Sequence, residues 1–382
     1  MAVATGASSV TPRLAWLDLA GFRSIERQKV SFGDRTILIG ANGAGKSNLV
    51  DFLRMLGFML GSENGLATFV GRFGPASALL HDGPKRTQAI EAHCCITTRQ
   101  GTNEYRFRLG YASGDTLTFL EETYRFSPTV RAGRWIELGA GHRSPALLQL
   151  TLAANQKTER TILELLRRLQ VYQFHDTSRE AGIKQQWSQS DNLHLRSDAA
   201  NLAPFLLRLR EQYTPYYRRI VETIRLIAPF IDDFVLEPQE GRVALRWREL
   251  GSDIEFGADQ ASDGTLRGFC LVTLLLQPPE TMPPILVIDE PELGLHPFAL
   301  HTIAGLVKAA SVSRQCILAT QSPELLDEFD PEDVLVAERP GRATAFSRLS
   351  AEALQKWLDD YTLSDLWNMN VLGGRPGRAA AE

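Results

Sequence analysis

Between Gly40 and Ser47 the chain reads G-A-N-G-A-G-K-S, a spacing suited to gripping phosphate. Gly40, Gly43 and Gly45 open backbone conformations closed to residues with a Cβ, so successive N–H groups around Asn42 and Ala44 can point at phosphate oxygens. Lys46 would neutralise the β- and γ-phosphates, the Ser47 hydroxyl would ligate Mg2+, and Asn48 belongs to the same phosphate-binding segment. Much later, Ile285 to Pro297 reads I-L-V-I-D-E-P-E-L-G-L-H-P. Its apolar run has the character of a strand buried on both faces and ends in two carboxylates, with Asp289 assigned to the metal and Glu290 to the attacking water. The alternative, a charged strand end turning into a proline loop, loses ground because a phosphate loop stands elsewhere in the chain. Together the two motifs describe hydrolysis of a nucleoside triphosphate.

Such chemistry requires a strand, a loop and a helix in succession. Apolar Thr36 to Ile39 supplies the strand, and Ser47 to Leu60 reads as the helix. Upstream, Leu14 to Ile39 clusters as two strands around G-F-R-S-I, with Gly33 and Asp34 forming a turn. After a glycine-rich stretch from Gly57 to Gly74, the segments Ala89 to Thr98, Asn103 to Tyr111, Thr116 to Phe126 and Arg134 to Leu138 are rich in β-branched and aromatic residues. They predict an antiparallel sheet beside the nucleotide site. From Pro145 to Pro229 the periodicity turns helical, as in Ile162, Leu165, Leu166 and Leu169. Strands resume at Phe234 to Glu237 and Val243 to Trp247. The expected organisation is an N-terminal lobe over residues 1–144, a helical insertion over 145–230, a C-terminal lobe over 231–350 and a helical tail over 351–382.

With 382 residues, 44% apolar and 23% charged, the chain has material for one large or two modest packed domains. The net charge of −4 gives no global basic field, so nucleic acid would need a local patch. Arg208, Arg210, Arg218, Arg219 and Arg225 interleave with Tyr213, Tyr216 and Tyr217 in one such patch, which reads equally as a solvated helix face diluted by Glu211 and Glu222. Cys94, Cys95, Cys270 and Cys316 lack zinc spacing and are expected to be buried and reduced. No apolar run is long enough to span a bilayer, the first dozen residues look like a loose tail without secretion features, and a cytoplasmic location is expected.

A third motif, S-D-G-T-L-R at Ser262 to Arg267, opens an apolar helix over Leu266 to Leu276. Its hydroxyl and free N–H groups could meet an anion, although alone it reads as a simple N-capped core helix.

With these motifs in this order, and with G-F-R-S-I at the start and A-T-Q-S-P-E-L-L-D near the end, the sequence resembles ABC-type ATPase heads of the RecF, SMC and OLD group, in particular the small AAA-like ATPases of bacterial defence and repair operons. The resemblance covers most of the chain. It implies an α/β P-loop NTPase of ABC-ATPase head type, with a mixed sheet, an antiparallel β subdomain and a helical insertion. It also implies ATP and Mg2+ as cofactors and a head-to-tail homodimer sandwiching two ATP molecules, with Ser262, Asp263 and Gly264 reaching the γ-phosphate of the sister copy. A separate effector from the same operon and DNA are the further partners it suggests, with no membrane.

Where such ATPases usually carry a switch histidine, A-T-Q-S-P places Gln321. An amide can hydrogen-bond phosphate or hold water but carries no positive charge, so slow turnover, or a nucleotide-gated scaffold with little hydrolysis, is expected. Gln173 in V-Y-Q-F-H-D is the candidate for the family's water- and metal-contacting glutamine, with a strand-edge polar residue as the competing reading. His296 is read as a subunit contact through the resemblance, or else as a helix-start residue. His81, His93, His142, His175, His194 and His301 show no metal-ligand spacing. No heptad run marks long SMC-type arms, and the stretch after Ser350 is too short for an OLD-type nuclease domain, so a nuclease would be a separate polypeptide. In the tail, Leu363, Leu366, Trp367 and Val371 are expected to pack back onto the ATPase or to offer a docking strip.

Overall fold

A computed structural model of the chain describes residues 12–129, 131–150 and 157–374. The expected loose N-terminal tail lies, up to residue 11, outside the described residues, as does the end of the chain from residue 375.

The chain opens with β1 (Arg13–Phe22), β2 (Ile25–Ser31), β3 (Arg35–Ile39), α1 (Lys46–Gly61), α2 (Gly65–Phe73) and α3 (Ala76–Leu79). There follow β4 (Ala89–Thr98), β5 (Gly101–Ala112), β6 (Thr116–Pro128), β7 (Ile136–Gly139), α4 (Leu147–Leu150), α5 (Lys157–Leu166) and β8 (Gln170–Tyr172). The middle holds β9 (Trp187–Ser188), α6 (Leu202–Gln212), α7 (Thr214–Ile227), β10 (Ile231–Val235), β11 (Arg242–Val243), β12 (Arg246–Glu249), β13 (Glu255–Gly257) and α8 (Asp263–Leu276). The last elements are β14 (Ile285–Asp289), α9 (Pro297–Ser311), β15 (Gln315–Thr320), α10 (Pro323–Leu326), β16 (Val334–Glu338), β17 (Ala345–Arg348), α11 (Ala351–Leu358) and α12 (Leu363–Asn368).

One six-stranded sheet is antiparallel, in the order β2-β1-β4-β5-β6-β7. The other runs β17-β16-β3-β15-β14-β8, parallel throughout except for β17 at its edge. The parallel strands are apolar on both faces because each face meets its own core. In β14, Leu286 and Ile288 join one apolar cluster with α6, α7, α8 and α9, while Ile285 and Val287 join a second with α1, α2 and the antiparallel sheet. The same alternation runs through Ile37, Leu38 and Ile39 in β3 and through Cys316, Ile317 and Leu318 in β15.

Two sequence expectations change here. Leu14 to Ile39 forms three strands, because Gly21, with φ +76, and Arg23, with φ +48, let β1 turn straight into β2. The segment over 145–230 is no purely helical insertion, since β8 within it forms the edge of the parallel sheet through Gln170, Val171 and Tyr172 against β14. A three-residue strand carries too little periodicity to stand out between longer helical runs. All four cysteines are buried and free.

Candidate active site

The carboxyl ends of four adjacent parallel strands converge. In sheet order, β3 delivers the Gly40–Ser47 loop, β15 delivers Gln321, β14 delivers Asp289 and Glu290, and β8 delivers Gln173. Register sets them level, with Ile39 opposite Thr320, Ala319 opposite Asp289 and Ile288 opposite Tyr172. Ligands bind at this end of open parallel sheets because the strands stop there and loops take over.

The loop is a cradle shaped by close approach. A Cβ on Gly40 would stand 2.4 Å from the Ala337 carbonyl, and one on Gly45 would stand 2.0 Å from Thr344 Oγ1. Gly43 and Gly45 take φ of +80° and +108°. Gly45 starts α1 without a side-chain cap, whereas Ser262, Ser322, Ser350 and Thr362 cap their helices with hydroxyls. The first N–H groups of α1 therefore have no side-chain acceptor and lie beside the exposed Asn42, Gly43 and Ser47, an arrangement that can attract an anion. Lys46 is buried and donates through Nζ to the Gly40 and Ala41 carbonyls. Burial lowers its pKa from the usual lysine value, opposed by the charges of Glu290, Asp289 and Glu292. Asn48 donates to Ser24 Oγ, which lies 2.6 Å from Thr344 Oγ1, and Thr344 Oγ1 donates to the Ala44 carbonyl at 2.9 Å. Ser24 belongs to the early G-F-R-S-I motif, so that motif buttresses the back of the cradle. From the far end, Gly374 accepts a hydrogen bond from Ala41 N at 2.9 Å.

Burial pushes the Asp289 carboxyl up to about 6, with the neighbouring Glu290 charge adding to the rise. Gln173 Nε2 stands 3.4 Å from Asp289 Oδ2 and 3.1 Å from His175 Nδ1, and Gln173 Oε1 accepts from Arg54 at 3.3 Å. Arg54 is held in turn by Asp51, which also pairs with Arg23. Glu290 adopts φ +47°, uncommon for a residue with a side chain, and its N–H donates to the Ala319 carbonyl at 2.7 Å. One Glu290 oxygen accepts from Gln321 Nε2, and the other lies 3.4 Å from His175 Nε2. Gln321 N donates to Glu292 at 2.7 Å.

The structure thus gathers Lys46, Asp289, Glu290, Gln321 and Gln173 around one strand-end cleft. Ser262 and Asp263 are exposed on the turn that starts α8, where Ser262 Oγ accepts from Thr265 N at 3.1 Å and caps its own helix. Gly264 packs against Gly294, since a Cβ there would meet the Gly294 carbonyl at 2.1 Å. His296 is exposed and caps α9 by accepting from Phe298 N at 3.3 Å.

Sequence reasoning missed several residues here. His175, read without a role, stands 3.4 Å from the Glu290 carboxylate. Arg267, at the end of the S-D-G-T-L-R motif, donates to Phe174 O and His175 O, both at 3.0 Å, and to Leu293 O at 3.3 Å. It ties α8 to the segments after β8 and β14. Thr344 and Arg54 carried no local signal, because each acts across a long separation in sequence. In the arginine and tyrosine patch, Tyr217 is buried and donates to Asp233, Arg210 pairs with Glu237 and Arg225 with Asp232, so those groups are committed within the fold.

Among the described residues no group of three or more His, Cys, Asp or Glu forms a metal cluster. A cation at Ser47 and Asp289 would take most of its ligands from phosphate and water, which suits magnesium. No helix among them is long and apolar enough to cross a membrane.

The fold and cleft are those of an ABC-type ATPase head, a P-loop nucleotide-binding fold. Residues 35–327 match the family described as "AAA domain, putative AbiEii toxin, Type IV TA system", and the chain belongs to that family. Among solved structures it is similar to an SmcHead bound to the C-winged helix domain of ScpA, at 18% identity and TM-score 0.61, covering 90% of this chain and 99% of that one. It is also similar to a Smc head with an extended coiled coil bound to the C-terminal domain of ScpA from Pyrococcus furiosus, at 16% identity and TM-score 0.58, covering 92% and 99%. A Smc head with a coiled coil and joint from Pyrococcus yayanosii matches at 14% identity and TM-score 0.52, covering 92% and 99%. No curated protein matches the chain.

Proposed function

We propose that the chain binds ATP with magnesium and hydrolyses it slowly as a head-to-tail homodimer, acting with a separate effector protein in anti-phage defence or DNA-linked genome maintenance. The observation that carries this reading is the uncapped start of α1 beside Lys46, facing the Asp289 and Glu290 carboxylates across the strand ends. The backbone of Gly43 to Ser47 and Lys46 would hold the phosphates. Ser47 and Asp289 would hold magnesium, whose charge offsets that building on the β- and γ-oxygens. Glu290 would take the proton of the attacking water, with Gln321 holding its carboxylate. The exposed Ser262 turn is free to meet a second copy, and His296 lies exposed at the start of α9 for the same contact. The family's toxin description and the ScpA-bound Smc heads support an accessory protein partner; the exposed Arg218 and Arg219 leave room for DNA contact.

Gel filtration with ATP tests the dimer. Glu290→Gln should retain nucleotide and run as a dimer, while Lys46→Ala should lose nucleotide and stay monomeric. A Glu290→Gln protein that holds ATP yet remains a monomer sinks the trans site. Gln321 favours a second reading, a nucleotide-gated scaffold with little or no turnover. Negligible phosphate release from the wild-type chain, with and without DNA, would select it.

A further inference from the structure

Glu290, proposed above to activate water, meets a different side chain near each of its oxygens, and only one of the two was visible in the sequence motifs. Gln321 Nε2 donates to Glu290 Oε1, and His175 Nε2 lies 3.4 Å from Glu290 Oε2. His175 Nε2 is buried and has no partner within hydrogen-bonding geometry.

Its protonation follows from a chain of donors. Arg54 has no acceptor atoms, so its contact with Gln173 fixes the oxygen of that amide toward Arg54. The Gln173 nitrogen then faces His175 Nδ1 at 3.1 Å and Asp289 Oδ2 at 3.4 Å. A ring nitrogen that accepts from an amide carries no proton, so in the neutral imidazole the proton sits on Nε2, the ring nitrogen 3.4 Å from Glu290 Oε2. The His175 backbone is fixed independently, because its carbonyl accepts from Arg267 at 3.0 Å.

We propose that His175 is a positioning residue for hydrolysis, an Nε2–H donor that holds Glu290 in the orientation needed to take a proton from water. This rests on the ATPase reading above and deepens it. The switch position, occupied by the neutral Gln321, supplies one donor to Glu290, and the segment after β8 supplies the second. Hydrogen bonds around a catalytic base tend to be long without substrate and to tighten when it binds, which suits the 3.4 Å separation.

Steady-state phosphate release from the full chain, paired with binding of a non-hydrolysable ATP analogue, tests it. His175→Phe keeps a ring of similar shape and removes the donor, and should lower kcat by roughly 10- to 100-fold, a part of the roughly 10²- to 10⁴-fold that a positioned base contributes, with KM and analogue affinity within about twofold of wild type. His175→Gln can place an amide N–H near the Nε2 position and should recover much of the rate. Unchanged turnover in His175→Phe overturns the proposal, as does a loss equal in both variants or one carried by KM and analogue affinity. If wild type itself releases no phosphate while still binding the analogue, the hydrolysis reading falls and the role of His175 falls with it. Wild-type turnover with an indifferent His175 overturns this inference alone.

Discussion

Asp289 shows how one side chain can hold opposed demands. Taken out of water and set beside Glu290, its carboxyl titrates near 6, about two units above its usual value. The unfolded chain therefore gives up this proton first as pH rises, so the residue's contribution to stability is present below about pH 4 and is lost as pH climbs through about 6. Asp289→Asn removes this slope. Melting curves should show the variant gaining on wild type between pH 4.5 and pH 7, by up to about 2 kcal/mol, and parallel curves would show that Asp289 is not strained in this way. At this scale the identities of Lys46, Ser47, Asp289 and Glu290 were legible because each lies in a short, dense motif. His175 was not, since its meaning comes from a carboxylate more than a hundred positions away, and its own neighbours in sequence spell no ligand spacing.

Among elements, the phosphate loop is the one whose shape is dictated from outside itself. Gly43 and Gly45 both need positive φ, but only Gly45 is also crowded, with Thr344 Oγ1 at 2.0 Å from where a Cβ would sit, while Gly43 faces open space. Alanine at either glycine pays the left-handed penalty of roughly 1–2 kcal/mol, and only at Gly45 does it also displace Thr344 and its bonds to Ser24 and Ala44. Gly45→Ala should therefore melt well below Gly43→Ala without nucleotide, and equal melting temperatures would show that Thr344 yields freely. The glycine pattern could be read directly. Thr344, which makes one of those glycines obligatory, could not, because it reaches the loop from the segment before β17. β8 escaped for a related reason: a short edge strand is defined by pairing with β14, and its own three residues do not announce it.

Across the whole molecule, the tail after Thr362 is part of the machine. Leu363, Leu366 and Trp367 are buried in the core shared by α8, β14 and β15, and Gly374 bonds Ala41 at the mouth of the phosphate loop. Deleting residues after Thr362 should lower both the melting temperature and nucleotide affinity, since each large buried side chain removed costs roughly 2–5 kcal/mol. A truncated chain that melts and binds like the full one would return the tail to the role of a docking strip.

The sequence by itself determined the phosphate loop, the strand that ends in carboxylates and the antiparallel sheet beside them, because those properties reside in contiguous glycines, apolar runs and alternating patterns. Only the tertiary structure decided that Ser24, Thr344 and Gly374 wall the cradle, that Arg267 laces α8 to the segments after β8 and β14, and that His175 and Gln321 each lie near a different oxygen of Glu290. Those relations depend on parallel strands aligning their ends, and no local run of residues encodes which strand lies next to which.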